Sequence, residues 1–306
     1  MRLVTFAYAD GDRPAALIAS SEGDRALDLT TAVPGGCTSI DELIADAEAL
    51  RTVTEAVTAA TESAVDLPLA SELTLLAPVR PGKILCLGYN YRGHVPAGTD
   101  VTAADPEFPD VFVKTPNVLA GSSDPVTLPR ASDDVDYEGE IAVVIGRRAH
   151  EVPLDEAMDY IAGFTLFNDV SARDWQGRSS QWELGKCFDG FGVLGPAIVT
   201  ADEVPDPHDL LLEVVRDGIV TVSQSTSTMV FSMPFLVHYL SQVMTLEPGD
   251  VISTGSPQKT ADALADHRPL ADGDAVTIRV AGLGELTTTF VRPTPTTDPP
   301  TIGAQP

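Results

Sequence analysis

The apolar positions of this chain change their period along its length. "RLVTFAYA" and "AALIAS" alternate around the turn "DGDRP", which predicts a strand pair. "SIDELIADAEALRTVTEAVTAA" shifts to a helical period, with Ser39 or Asp41 placed as its N-cap. "APVRPGK", residues 77 to 83, interrupts the pattern with prolines and a glycine and marks a boundary. Strand-like runs follow: "KILCLGYNY", "VFVKTP", "EGEIAVVIG", "IAGFTLFNDVSA" and "PAIVTA". "LLLEVVRDG" and "IVTVSQSTS" predict a hairpin around Asp217 and Gly218, and "MPFLVHYLSQVM" predicts a helix. "DVISTG" and "AVTIRVAGLGELTTTFV" are further strands, and "RPTPTTDPPTIGAQP" offers little to bury. The pattern therefore divides the chain into a small α/β unit over 1–76, a β-rich α+β unit over 77–292, and a Pro/Thr-rich tail over 293–306.

One strand carries a contradiction. "DYEGEIAVVIG", residues 136 to 146, is mostly a buried apolar run, yet it opens on Asp136, Glu138 and Glu140. Strand side chains alternate between faces, so these three acids share the face of Ala142 and Val144. Like charges that close repel, and a buried carboxylate without a partner is costly. Either something positive sits between them or that end of the strand is wet.

Charge narrows the partners. The 306-residue chain has 19 basic and 45 acidic residues, a net charge of −26. Such a surface repels nucleic acid and anionic membranes. No apolar run approaches the roughly 20 residues of a membrane span, and the N-terminus lacks a signal pattern. Cys37, Cys86 and Cys187 are sparse and odd in number, which points to free thiols in a reducing cytoplasm and excludes a cysteine zinc site. Only four lysines occur: Lys83, Lys114, Lys186 and Lys259.

The chemistry-bearing motifs are few. "GFGVLG", 190 to 195, matches a dinucleotide fingerprint in letters only, because Pro196 and a strand-like run follow it instead of a helix. Asp169 ends the apolar run "IAGFTLF" and could join Glu138 and Glu140. Three carboxylates without a nearby Cys or His form a hard oxygen site, suited to Mg²⁺, Mn²⁺ or Ca²⁺ rather than zinc. A solvated strand end explains the same residues. His94, His150, His208, His238 and His267 show no ligand-like spacing.

Taken together, several stretches resemble one family. "GYNYRGH", "VFVKTPNVLAGSSDPVTLP", "DYEGEIAVVIG", "GFTLFNDVSARDWQ", "GKCFDGFGVLGP", "MVFSMPFLVHYLSQVMTLEPGDVISTGSP" and "GLGEL" follow the order of the fumarylacetoacetate hydrolase superfamily. The resemblance implies a mixed β-sandwich roll with a small N-terminal domain, assembled as a homodimer. It implies Glu138, Glu140 and Asp169 as ligands of Mg²⁺ or Mn²⁺, with Ca²⁺ as an alternative. It implies His94 as general base, Lys186 as an oxyanion donor, and Tyr91, Lys114, Arg173, Gln176, Lys186 and Thr254 as substrate contacts. Two of the four lysines thus fall in the implied site.

The chain departs from the pattern in three places. Many relatives carry a glutamate three residues after this histidine, where this chain has Ala97 behind Pro96. Asp100 and Glu107 are candidate replacements. The common T-G-T-P-x-G-V-G reads "TGSPQKTAD", and "GFGPLGP" reads "GFGVLGP".

The implied reaction acts on a 2-oxo acid. A divalent ion accepts the carboxylate and keto oxygen and stabilises the enolate, while His94 activates water to cleave a C–C bond of an acylpyruvate. Lys186 and Gln176 stabilise the oxyanion, and Arg173 holds a negative end. The same enolate serves decarboxylation or enol–keto tautomerisation, which need no activated water, and loss of the glutamate at 97 adds weight to these. A non-catalytic homologue that binds an organic acid is the alternative from another class.

Overall fold

The structure is a computed structural model that describes residues 1–9, 11–61, 66–95 and 105–293. Pro96, Ala97, Asp100 and the tail beyond 293 lie outside the described residues. Along the chain, β1 (Arg2–Tyr8), β2 (Gly11–Ile18) and β3 (Arg25–Asp28) precede helices α1 (Ile40–Ala45) and α2 (Ala47–Thr61). Then come β4 (Ile84–Gly88), β5 (Asp110–Lys114), β6 (Gly139–Ile145), β7 (Ile161–Asp169) and β8 (Gly192–Thr200). The hairpin β9 (Leu211–Arg216) and β10 (Ile219–Ser225), helix α3 (Met233–Ser241), β11 (Val251–Ser253), β12 (Ala275–Val280) and β13 (Gly284–Val291) complete the fold.

The large sheet runs β3-β2-β1-β8-β7-β6-β11-β4-β5, and the smaller one runs β10-β9-β12-β13. Neither order returns to its start, so both sheets are open. Residues 1–76 do not form a sheet of their own. Strand β1 pairs antiparallel with β8, Arg2 opposite Val199, and carries β2 and β3 onto the edge of the large sheet.

Alternation along β6 sorts its side chains between two cores. Ile141, Val143 and Ile145 face the smaller sheet and α3, with Val214, Ile278 and Leu236. Ala142 and Val144 face the opposite way, toward α1 and α2, with Leu43, Ile44 and Val53. This beta-sandwich with helices on one outer face is the expected β-rich α+β architecture. Gly139 shows how closely the sheets approach, since a Cβ there would lie 2.5 Å from Val214 Cγ2.

Sequence periodicity predicts one long helix after residue 39, but the structure breaks it at Asp46. Ser39 Oγ accepts from Glu42 N at 3.1 Å and caps α1. Asp46 Oδ1 accepts from Glu48 N at 2.8 Å and Ala49 N at 3.2 Å, starting α2 afresh. The hairpin turn is as expected: Asp217 and Gly218 take φ of 54° and 76°, the positive values of a type I′ turn. Of "GFGVLG" only Gly190 lies in a turn, and Gly192 to Gly195 already belong to β8, with no helix after them.

Gly163 of β7 tests the strand packing. A Cβ there would meet the Val199 carbonyl oxygen at 2.2 Å, and backbone cannot move aside as a side chain can. Gly163→Ala is expected to cost about 2–3 kcal/mol or more through overpacking. The corresponding fall in thermal midpoint, about 5 °C or more, can be read by calorimetry.

Candidate metal centre and active site

Glu140 is the second residue of β6 and Asp169 closes the neighbouring antiparallel strand β7, so their side chains meet at one end of the pair. Glu138 lies just before β6, where its carbonyl accepts from Asp169 N at 2.9 Å. One carboxylate oxygen from each of Glu138, Glu140 and Asp169 lies within 4.8 Å of the other two. Oxygens around an octahedral ion are separated by about 3 Å when adjacent and about 4–5 Å when opposite, for metal–oxygen distances of roughly 2.1–2.4 Å. The three acids therefore have the donor type and spacing for a hard divalent cation.

The structure answers how these acids tolerate one another. Cations and carboxylates alternate across the site in the order Lys259, Asp136, Arg173, Glu138, Lys186, Asp169, Lys114. Lys259 Nζ donates to Asp136, and Arg173 Nη2 donates to Asp136 at 3.0 Å and Glu138 at 2.7 Å. Lys186 Nζ donates to Glu138 at 2.6 Å and Asp169 at 2.5 Å, while Lys114 Nζ caps the other Asp169 oxygen. Glu140 stands outside this series. Its Oε2 accepts from Ser253 Oγ at 2.5 Å and Gly255 N at 2.9 Å, both uncharged donors.

The carboxyl groups respond accordingly. Burial pushes Glu140 well above the usual carboxylate range, and the neighbouring Asp169 and Glu138 push the same way. Burial also opposes the charge of Glu138, but Arg173 and Lys186 outweigh it and hold this carboxyl well below its ordinary value. Asp136 is likewise lowered, against its burial, by Arg173 and Lys259. Burial works against the Lys186 ammonium, yet Asp169 and Glu138 keep its pKa above the usual lysine value.

Two cavities that share lining residues border the centre at Glu138. The inner one, about 140 Å³, is lined by Tyr89, His94, Glu138, Arg173, Gln176 and Lys186, among others. The outer one, about 400 Å³, shares His94, Glu138 and Arg173 with it and adds Asp136, Lys259 and His267. Tyr89 takes φ of 52°, an uncommon region for a residue with a Cβ, and this ends β4. Its ring stands edge-on to those of His94 and Trp182, with centroids 5.3 Å and 5.9 Å away. His94 Nδ1 lies 2.7 Å from the Ser256 carbonyl oxygen. A carbonyl only accepts, so Nδ1 carries the proton and Nε2 of the neutral ring keeps its lone pair.

The expected site residues divide by position. His94, Glu138, Arg173, Gln176 and Lys186 line the cavities, and Arg173 Nη1 donates to Gln176 Oε1 at 3.0 Å. Glu140, Asp169 and Lys114 are buried beneath them. Tyr91 and Thr254 line neither cavity. The Thr254 hydroxyl donates to the Ile141 carbonyl at 2.8 Å, and the buried Tyr91 hydroxyl has no hydrogen-bond partner among the described residues. Glu107 lines a separate surface pocket with His208 and Phe231. Among the other histidines, His208 and His238 bond to backbone at Met233 N and Val152 O. Sequence reasoning missed Lys259, Ser253, Ser256, Tyr89 and Trp182. Scarcity was the available signal for Lys259: of four lysines, only Lys83 lies away from the centre, paired with Asp250.

Residues 83–291 match the family model of the fumarylacetoacetate (FAA) hydrolase C-terminal region, more than half of the chain. The chain belongs to the fumarylacetoacetate hydrolase family. It is 37% identical over 290 residues to a mitochondrial oxaloacetate tautomerase of Rattus norvegicus, covering 94% of this chain and 90% of that one. A crystal structure of 5-carboxymethyl-2-hydroxymuconate delta-isomerase from Mycobacterium smegmatis aligns with TM-score 0.74 at 33% identity, over 96% of this chain and 100% of that one. Maleylpyruvate hydrolase from Sphingobium sp. SYK-6, in complex with manganese(II) and pyruvate, aligns with TM-score 0.76 at 31% identity over the same shares. Fumarylacetoacetate hydrolase relatives are thus enzymes of differing reaction type that act on small molecules, and one of them binds manganese. No helix among the described residues is long and apolar enough to cross a membrane.

Proposed function

We propose that this family member is a divalent-metal-dependent tautomerase or isomerase of acylpyruvate-type 2-oxo acids. The observation that carries the reading is the commitment of His94 Nδ1 to the Ser256 carbonyl. It fixes the tautomer in which Nε2 of the neutral ring is available to take and return a proton. Enol–keto interconversion asks for no more than that, whereas hydrolysis must also activate water. A backbone carbonyl orients the ring but does not supply the negative charge with which a carboxylate would stabilise an imidazolium.

Glu138, Glu140 and Asp169 would hold Mg²⁺ or Mn²⁺. Once bound, such an ion would supply Lewis acidity at the carboxylate and keto oxygen of the substrate. The residues of the chain do the rest. Arg173 and Gln176, tied to each other, orient the acid in the inner cavity. His94 Nε2 removes a proton from C3 of the keto form. Negative charge then grows on the 2-oxygen, where the Lys186 ammonium offsets it. His94 then returns its proton to that oxygen, which gives the enol and restores the base, and the reverse sequence gives the keto acid. Tyr89, Phe112 and Trp182 keep one wall of the inner cavity apolar.

C–C hydrolysis is the second reading, supported by the likeness to maleylpyruvate hydrolase. A single assay separates the two. With Mn²⁺, the protein is expected to speed loss of the enol absorbance of oxaloacetate and of acylpyruvates without releasing CO₂ or a second carboxylic acid. Acid release from acylpyruvates as fast as the loss of enol would favour hydrolysis. Turnover of no 2-oxo acid would defeat both.

A further inference from the structure

Lys259 lies outside the metal centre and plays no part in the proton transfer. It ends the alternating series of charges on the solvent side, in the segment "TGSPQKTAD", where the chain departs from the family pattern. Its ammonium donates to Asp136 and sits 4.0 Å above the Tyr137 ring centroid, with the side chain 14% exposed. An ammonium has three N–H donors, and Asp136 with the ring face does not use them all. The residue lines the outer cavity, which shares His94, Glu138 and Arg173 with the inner one.

Apart from the exposed Asp134–His267 pair, the formal charges of the hydrogen-bonded series and Glu140 are balanced. Lys114, Arg173, Lys186 and Lys259 stand against Asp136, Glu138, Glu140 and Asp169, four on each side. A divalent ion held by three of these acids would leave a surplus of two positive charges. A 2-oxo acid with one carboxylate cancels one of them. Arg173 and Lys259 are the cations lining the outer cavity, together with Asp134, which is more than a third exposed and bonds to His267. Arg173 is engaged by Glu138, whereas Lys259 bonds to no metal-ligating carboxylate, so a second anion is favoured beside Lys259.

We propose that Lys259 receives a second carboxylate, at the far end of the substrate, and so selects dianionic 2-oxo acids over monoanionic ones. The inference rests on the reading of the site as a 2-oxo acid centre. Asp136 then positions the ammonium, and Tyr137 supports its stem.

The test compares 2-oxohexanedioate with 2-oxohexanoate, which differ only by a terminal carboxylate in place of a methyl group. Binding is followed by calorimetry on the Mn²⁺-loaded protein, with no turnover required. The wild type is expected to prefer the diacid by at least tenfold. Lys259→Gln should reduce this preference to about threefold or less, and Lys259→Arg should retain most of it. Should the glutamine variant fail to fold, Lys259→Met, which keeps the stem over Tyr137, takes its place. No preference in the wild type, or a full preference in the uncharged variants, overturns the role of Lys259. Absence of turnover on any 2-oxo acid, with the binding preference intact, would instead count against the proposed reaction alone.

Discussion

Replacing Glu140 with glutamine is expected to weaken Mn²⁺ binding by about 10²-fold or more, and turnover with it, while the metal-free protein melts as high as the wild type. Among the proposed ligands, Glu140 is the one that forms no ion pair with a lysine or arginine in this structure. Its partners, Ser253 Oγ and Gly255 N, donate to a single oxygen and can donate equally to a glutamine carbonyl. The substitution therefore strands no buried cation, in contrast to removing Asp169. Two buried lysines depend on Asp169, and leaving a buried charge unpaired costs about 3–5 kcal/mol. Even loss of a residue that merely supports a metal ligand weakens binding by about 10–100-fold, so loss of a charged ligand should do at least as much.

The raised carboxyl of Glu140 fixes the pH dependence of this result. The folded protein holds a proton there to higher pH than the unfolded chain, whose glutamates titrate near about 4.3. Stability of the metal-free wild type should thus fall as pH rises from there through the folded value, and Glu140→Gln should lack this component. Metal binding to the wild type should release a proton in that window, tightening as pH rises by up to about tenfold per unit. Titration calorimetry in two buffers of different ionisation enthalpy measures this release. A glutamine variant that binds Mn²⁺ as tightly as the wild type would remove Glu140 from the ligand set.

His94→Ala should lower kcat by about 10²–10⁴-fold and change Mn²⁺ affinity by less than about threefold. The ring lines both cavities and makes its hydrogen bond to a backbone carbonyl, while the carboxylates of the centre are held by lysines, Arg173, Ser253 and Gly255. Loss of the base therefore removes the proton carrier without unsettling the ligands. Added imidazole should restore part of the rate, since the truncated side chain leaves room in the inner cavity. Equal losses of turnover and metal affinity would instead make His94 part of the metal centre.

Much of the architecture was legible along the chain because it is governed by local period and turn chemistry. Alternation in "EGEIAVVIG" placed Glu140 on the face of Ala142, and the side chains follow it into separate cores. The Asp217-Gly218 turn followed from the positive φ that a two-residue hairpin demands. The break at Asp46 was not legible, because helical period is the same on both sides of it. Only the aspartate's bonds to Glu48 N and Ala49 N reveal the second start.

The site divides in the same way. The sequence by itself determined that Glu140 would stand at the head of one apolar strand and Asp169 at the end of another, because strand parity is a local property; a solvated strand end remained open on those residues, and the family resemblance joined Glu138 to them as a ligand set. Which positive groups answer them is a matter of distant residues brought within hydrogen-bond reach, with Lys114 55 positions from Asp169 and Lys259 123 from Asp136. Only the tertiary structure decided that Thr254 spends its hydroxyl on Ile141, that Ser256 orients His94, and that Lys259 extends the charge series into the outer cavity. The reason is physical: Coulomb and hydrogen-bond energies depend on separation in space, and the order of residues along a chain does not encode that separation until the sheets have packed.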